Sequence, residues 1–294
     1  MFPFRSLLFV PGHKPDWIAK AAATGADAIV LDLEDSVPQD LKAQTRDVVS
    51  ASIASASEKY PNIAFLLRIN GLATGATGAD LETCLVPGLQ GLFVPKIENA
   101  IDLAKMDALV DHFESRNGVT GIEYIVPVET VPAIWNAREI AHGSSRIGAM
   151  IGPTAEHADI AREVGFEWTA EGLETLYLRS RVLLAIREAK IHALTGLWEK
   201  VDDLTGLEKF AGSGRTLGYR GMVVIHPTHV PIVNEVFTPS DQDVAFYEGQ
   251  VVAYEEAAAD GHGALRYEGL HIDKAHYDKA VQWLDRAKQL RERV

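Results

Sequence analysis

Charged side chains stand directly after short apolar runs along this sequence. Asp32, Glu34 and Asp35 close the run at Ala28–Leu33, Arg68 and Asn70 close Ile63–Ile69, and Lys96 and Glu98 follow Leu92–Val94. Glu129 follows Ile122–Val128. Glu156, His157 and Asp159 come soon after Ile147–Ile151, and His226 ends Met222–Ile225. Charges abutting buried segments are costly unless they are paired, coordinated or used in chemistry. Carboxylates dominate the set, and several of them at one mouth repel unless they share a cation. An oxygen-rich donor set with few nitrogens favours Mg²⁺ or Mn²⁺ over Zn²⁺. An ion held by one or two carboxylates keeps positions open for substrate oxygens, and Arg68 can grip a substrate carboxylate through two parallel hydrogen bonds. A metal plus an arginine suits a substrate with a carboxylate beside a hydroxyl or keto oxygen. Such a site can stabilise an enolate, the intermediate of carbon–carbon cleavage next to a carbonyl.

Plainer roles compete for several of these residues. Glu98 and Asp35 also suit helix capping or a salt bridge, and Glu156–Asp159 could be solvated charge in a helix's first turn. His226 reads as a packed, hydrogen-bonded histidine, Gly212-Ser213-Gly214 as a connector, and the glycines of Asn70–Gly78 as a flexible loop. Cys84 reads as a small buried hydrophobe rather than a nucleophile.

The elements that must carry these groups alternate. Apolar runs at Leu7–Val10, Ala28–Leu33, Ile63–Ile69, Leu92–Val94, Ile122–Val128, Ile147–Ile151, Ile191–Trp198 and Met222–Ile225 are mostly continuous, as in strands buried on both faces of a parallel sheet. Helical spacing fills the gaps at Pro15–Ala23, Leu41–Ser57, Ala100–Ser115, Val131–His142, Ala155–Val164, Leu173–Ala189 and Asp203–Leu217. Repeated βα units predict a parallel sheet with helices outside, and about eight strands match a closed (β/α)₈ TIM-like barrel. A doubly wound fold fits less well, because Gly12-His13-Lys14-Pro15 is not the phosphate fingerprint. In such a barrel the active site lies where strands end, which is where the charges stand. The expected division is a barrel over 1–238 and a C-terminal helical extension over 239–294, with helices at Ser240–Asp260 and Lys274–Arg293 flanking a short hairpin or ordered loop.

Composition narrows the partners. The 294 residues carry 28 Lys+Arg against 41 Asp+Glu, a net charge of −13, which argues against non-specific nucleic-acid binding. A single cysteine excludes an internal disulfide framework and multi-thiolate metal sites. No stretch is apolar enough for a membrane span, and the opening residues read as a first strand rather than a signal peptide. A cytoplasmic location is the expectation.

Taken in order, Arg5-Ser6-Leu7-Leu8-Phe9-Val10-Pro11-Gly12, Leu31-Asp32-Leu33-Glu34-Asp35-Ser36-Val37, Leu67-Arg68-Ile69-Asn70, Val94-Pro95-Lys96-Ile97-Glu98, Val128-Glu129-Thr130 and Val224-Ile225-His226-Pro227 resemble the citrate lyase beta subunit-like family, grouped with malyl-CoA and citramalyl-CoA lyases. The resemblance implies a TIM-like barrel with a C-terminal helical extension, assembled as a homotrimer or hexamer. It implies Mg²⁺ on Glu129 and Asp159, with Mn²⁺ as a substitute, and Arg68 on the substrate carboxylate. Lys96, Gly152 and Pro153 are further implied substrate contacts, and Glu34 and Asp35 orient Arg68 or metal waters. Asp273, in Gly269-Leu270-His271-Ile272-Asp273, resembles the family's late catalytic aspartate, which reaches an adjacent subunit's site. Two departures stand out. The stretch from Gly152 to Asp159 is longer than the family's, so either Asp159 returns to the metal or Glu156 takes its place, and His271 replaces a usual hydrophobic residue. The implied activity is a Mg²⁺-dependent lyase on a malyl-, citramalyl- or citryl-type CoA. The alternatives are a class II aldolase acting on free hydroxy-keto acids, and a partner-dependent subunit of a citrate lyase-like complex.

Overall fold

The computed structural model describes residues 3–154, 156–169 and 171–292. Eight strands close into one parallel barrel in sequence order: β1 (Ser6–Pro11), β2 (Ala28–Asp32), β3 (Ala64–Arg68), β4 (Leu89–Phe93), β5 (Glu123–Pro127), β6 (Ile147–Ile151), β7 (His192–Thr195) and β8 (Gly221–Val224), with β8 pairing back onto β1. Successive strand residues face opposite sides. Leu7, Ala28, Val30, Ala64, Leu66, Phe93, Ile125, Ala149, Ile151, Leu194 and Val223 therefore form an inner cluster. Their neighbours, such as Leu8, Ile29, Leu31, Phe65 and Leu67, join the layer under the helices. Small Ala28, Ala64 and Ala149 leave room inside for Phe4, Phe9 and Phe93, a filled core rather than a pore.

The helices are α1 (Trp17–Ala22), α2 (Lys42–Lys59), α3 (Thr77–Cys84), α4 (Ala100–Asn117), α5 (Val131–Trp135), α6 (Ala137–His142), α7 (Asp159–Val164), α8 (Leu176–Glu188), α9 (Leu204–Leu217) and α10 (His229–Phe237). Four sequence expectations change here. The stretch Asn70–Gly78 is not a free loop: it holds a short 3₁₀ turn and the start of α3. Buried Asp80 accepts from the backbone N–H and side chain of Asn70 at 2.8 and 2.7 Å and from Arg46 at 2.7 Å, which pins it. Val131–His142 is two helices meeting at Asn136, whose side chain donates to the Glu98 carbonyl at 2.9 Å. Gly212-Ser213-Gly214 lies inside α9 rather than in a connector, and a Cβ placed on Gly214 would lie 3.4 Å from Thr195. In the predicted helix Ala155–Val164, Ala155 lies outside the described residues and the helix begins at Asp159.

At the N-terminal ends of β1 and β2, Arg5 binds Asp27 through Nε at 3.0 Å, Nη2 at 2.7 Å and its own backbone N–H at 2.6 Å. The chain divides into two compact units, Met1–Phe237 and Thr238–Val294. In the second, α11 (Asp241–Ala259) and α12 (Lys274–Arg291) flank an antiparallel hairpin of β9 (Ala264–Tyr267) and β10 (Leu270–Asp273). Ring contacts Phe246–Tyr267, Tyr247–Trp283 and Tyr254–Tyr277, at 5.0–5.5 Å, hold it together. No helix among the described residues is long and apolar enough to cross a membrane.

Candidate active site

Strand parity brings the first two functional groups together. Ala28, Val30 and Asp32 share the inner face of β2, Ala64, Leu66 and Arg68 share that of β3, and Asp32 is the register partner of Arg68. Asp32 accepts from Arg68 Nε at 2.6 Å and Nη2 at 2.7 Å, and also from the backbone N–H groups of Glu34 and Ser36 at 2.9 and 3.1 Å. Arg68 Nη1 lies 3.1 Å from Glu34 and 3.7 Å from Asp35, and the guanidinium lies 4.9 Å from the centre of the Phe9 ring. Burial alone would raise the Asp32 pKa, but the hydrogen bonds and charge of Arg68 hold it below the usual carboxylate range. The same pairing outweighs burial at Arg68 and keeps it firmly cationic.

A second set of groups meets around Lys96. Its backbone is left-handed, with φ of 54°, a conformation that costs a non-glycine residue energy and clusters at functional positions. Its N–H donates to Glu129 Oε1 at 2.8 Å, and its ammonium lies 3.4 Å from Asp159 and 4.0 Å from Glu34. Burial, reinforced by Asp35 and Glu129, pushes the Glu34 carboxyl up to about 7 despite Arg68. Burial likewise raises Glu129, with Asp159 adding to it. Glu34 and Asp159 together raise Lys96. Asp32, Glu34, Asp35, Glu129 and Asp159 thus surround two cations, Arg68 and Lys96. That excess of oxygen donors fits a hard divalent ion.

Arg68, Glu129, Gly152, Pro153 and Asp159 line one cleft of about 280 Å³, floored by Phe9, Phe93, Ile151 and Val223. Gly152 is required there, because a Cβ would fall 2.0 Å from the Tyr219 hydroxyl, which donates to the Arg179 carbonyl. Glu156 has other partners than Asp159: it lies 3.6 Å from Lys200 and groups with His157 and Glu199, both of which line the same cleft. His157 Nδ1 and Glu199 Oε2 are 2.9 Å apart, and that hydrogen bond raises the imidazole's pKa. Against a second metal there, Lys200 already supplies the cluster with a positive charge. A neighbouring cleft of about 450 Å³ shares Phe9, Arg68 and Leu197 and extends past Trp17, Lys20, Ile225 and His226.

The strand-end expectations divide into several outcomes. Glu98 is no cap: Asn99 takes that place, its side chain accepting from Ile101 and Asp102 N–H at 2.9 and 3.1 Å. Asn70 serves the buried network of the β3 loop, and His226 Nδ1 pairs with Thr228 at 2.8 Å. Sequence reasoning missed Asp32 as the group that orients Arg68, for which it offered Glu34 and Asp35. The available signal was parity, since Asp32 and Arg68 each fall two residues after an inward apolar position. Phe9 beneath the guanidinium and Glu199 beside His157 were missed as well. Nothing local in the sequence marks those two. In the second unit, Asp273 caps α12: its carboxylate accepts from Ala275 N–H at 3.0 Å and meets His276 Nδ1 at 2.7 Å, which lowers its pKa.

Comparison with known proteins places this arrangement. A family model described as HpcH/HpaI aldolase/citrate lyase matches residues 5–227. The chain is 34% identical over 278 residues to a citrate lyase subunit beta-like protein of Deinococcus radiodurans, covering 94% of each. It is 31% identical to a (3S)-malyl-CoA thioesterase of Cereibacter sphaeroides over 98% of this chain and 96% of that one. It is 34% identical to an L-malyl-CoA/beta-methylmalyl-CoA lyase of the same species over 95% and 92%. Among solved structures, CitE of Mycobacterium tuberculosis in complex with magnesium, acetoacetate and coenzyme A superposes with a TM-score of 0.72 at 26% identity, covering 96% of this chain and 97% of that one. With the model spanning most of the barrel and relatives matching nearly end to end, the chain belongs to the HpcH/HpaI aldolase/citrate lyase family.

Proposed function

We propose that this chain is a magnesium-dependent carbon–carbon lyase that cleaves or forms a 3-hydroxyacyl-CoA of the malyl, citramalyl or citryl type. The observation that carries the reading is that Arg68, Glu129 and Asp159 line one cleft, with Lys96 touching both acids. Glu129 and Asp159 would hold the ion, and Mn²⁺ would serve in its place. A divalent ion bound there supplies Lewis-acid polarisation of a substrate oxygen next to the bond that breaks.

The chain's own residues do the rest. Of the five guanidinium N–H groups, Asp32 and Glu34 engage three, leaving one on each terminal nitrogen for a substrate carboxylate. Asp32 and Phe9 fix the plane of that fork before the acid arrives, so little orientational freedom is lost on binding. Gly152 and Pro153 form the wall against which the acid rests. The adjoining 450 Å³ cleft is mostly apolar with Lys20 at its side, which suits the pantetheine arm and a phosphate of CoA. The solved relative's complex with magnesium, acetoacetate and coenzyme A supports a site that takes a keto acid and coenzyme A together. Asp273 would exchange the proton at the enolate carbon, delivered by a neighbouring copy in a trimer or hexamer.

A panel of hydroxyacyl-CoAs, assayed for keto acid and acyl-CoA with and without EDTA, tests the reading. The expected result is keto acid release that EDTA abolishes and Mg²⁺ restores. Undiminished turnover by metal-free protein would remove the metal. Free thiol appearing without keto acid would report hydrolysis, as the name of the thioesterase relative suggests, and turnover of free hydroxy-keto acids would report an aldolase.

A further inference from the structure

Lys96 makes an unusual pair of contacts. One residue in a left-handed backbone conformation donates its N–H to Glu129 and sets its ammonium beside Asp159 and Glu34. The other cation of the mouth, Arg68, is occupied by Asp32 and Glu34. Asp159 also pairs with Arg162 Nη2 at 2.7 Å, but on its other oxygen, Oδ1, which belongs to the first turn of α7. Lys96 reaches Oδ2, and its side chain is half exposed, so it can leave without disturbing packing.

We propose that Lys96 is a placeholder cation: in the metal-free protein its ammonium stands between Asp159 and Glu34, and a divalent ion entering on Glu129 and Asp159 displaces it. The inference rests on the metal reading above and adds a role for a residue outside the donor set. Two like charges a few ångströms from one carboxylate oxygen repel, so ion and ammonium compete for Asp159. The backbone half of Lys96 remains in place throughout, keeping Glu129 Oε1 oriented by the N–H bond. The displaced ammonium stays tethered at the rim of the cleft, where an anionic substrate is its next partner. Lys96 is thus a positioning residue in both states, through its N–H when the ion is bound and through its ammonium when it is not.

Mn²⁺ affinity, read by electron paramagnetic resonance of the free ion, tests the idea independently of turnover. Lys96→Met removes the competing charge and keeps the backbone, and Lys96→Gly also relieves the left-handed strain and guards against a folding artefact. Both variants should bind Mn²⁺ about 5- to 20-fold tighter than wild type, consistent with the loss of one like charge in a partly solvated site. Lys96→Met without metal should melt lower than wild type, and added Mn²⁺ should raise its melting point by more. Glu129→Gln run in parallel should lose binding. Binding that depends on Glu129 yet is equal or weaker in both Lys96 variants overturns the displacement and leaves the metal reading standing. No Mn²⁺ binding in wild type and both variants overturns both. A metal-free Lys96→Met that melts at or above wild type overturns the placeholder role.

Discussion

Replacing Arg68 with methionine should damage the protein before any substrate is added. Asp32 is 1% exposed, and its two oxygens take Arg68 bonds of 2.6 and 2.7 Å. The backbone N–H groups of Glu34 and Ser36 would remain as its partners, so the substitution leaves a buried carboxylate with half its hydrogen bonds and no counter-charge. Breaking one side of such a pair costs about 3–5 kcal/mol. Uptake of a proton by Asp32 relieves part of this, which favours the lower end. For a domain of this size the fall in melting temperature is on the order of 10 °C, from about 2–4 °C per kcal/mol. The pH dependence separates this account from a simple loss of packing. Asp32's folded pKa is depressed in wild type, so the pair's contribution is present above the unfolded value and disappears as pH falls through the folded one. The gap between wild type and Arg68→Met in urea midpoint, followed by circular dichroism, should therefore narrow on going from pH 7 to acid. The double variant Asp32→Asn, Arg68→Met should recover part of the loss at pH 7. An Arg68→Met protein within about 0.5 kcal/mol of wild type at pH 7, or a gap that does not narrow in acid, would show that Asp32 does not depend on Arg68 for its charge.

Glu34 titrates in the opposite sense. Its folded pKa near 7 lies above the usual carboxylate value, so it favours the metal-free fold below the unfolded pKa and loses that contribution as pH rises through about 7. Glu34→Gln should flatten the decline, measured by thermal melts from pH 5 to 8, and an unchanged slope would assign it elsewhere. Asp273→Asn keeps a good helix cap while removing the acid, so the melting point should hold within the few tenths of a kcal/mol that separate good caps and turnover should fall at least about 100-fold; full activity would end the acid/base role. Gly152→Ala should lower stability by about 1–3 kcal/mol, because its methyl meets Tyr219, and an unaltered urea midpoint would show spare room. Cys84 is fully buried with its thiol pushed up to about 12, so a thiol reagent should label it only on unfolding, and prompt labelling of native protein would contradict its burial.

The barrel was legible because both-face burial writes strands as unbroken apolar runs, and all eight runs became strands of the closed sheet. The charges after those runs marked the mouth for the same reason: a barrel interior does not tolerate an ionised group except at its rim. Partnership within the mouth was harder to read. Asp32, Glu34 and Asp35 are neighbours in sequence, but only strand parity turns Asp32 towards Arg68 while Asp35 stays largely exposed. In the stretch after β6, Glu156 and Asp159 stood as rivals. Lys200 and Glu199, some forty residues on, hold the Glu156 end, and no local pattern announces such a distant contact. The helix at Thr77–Cys84 was hidden by the glycines before it, and its anchor is a buried Asp80 whose partners come from Arg46 and Asn70.

The clasp between Arg5 and Asp27 sits where β1 and β2 begin, at the opposite end of the strands from the cleft. The β1–β2 junction is therefore secured at one end, and the candidate site lies at the other. Loops at the cleft end, such as the one from Gly152 to Asp159, can change without loosening that junction. Changes confined to one rim can therefore reshape the cleft while the far ends of the strands stay as they are. The barrel's tolerance for new sequence should be sharply unequal between the two ends of the same eight strands.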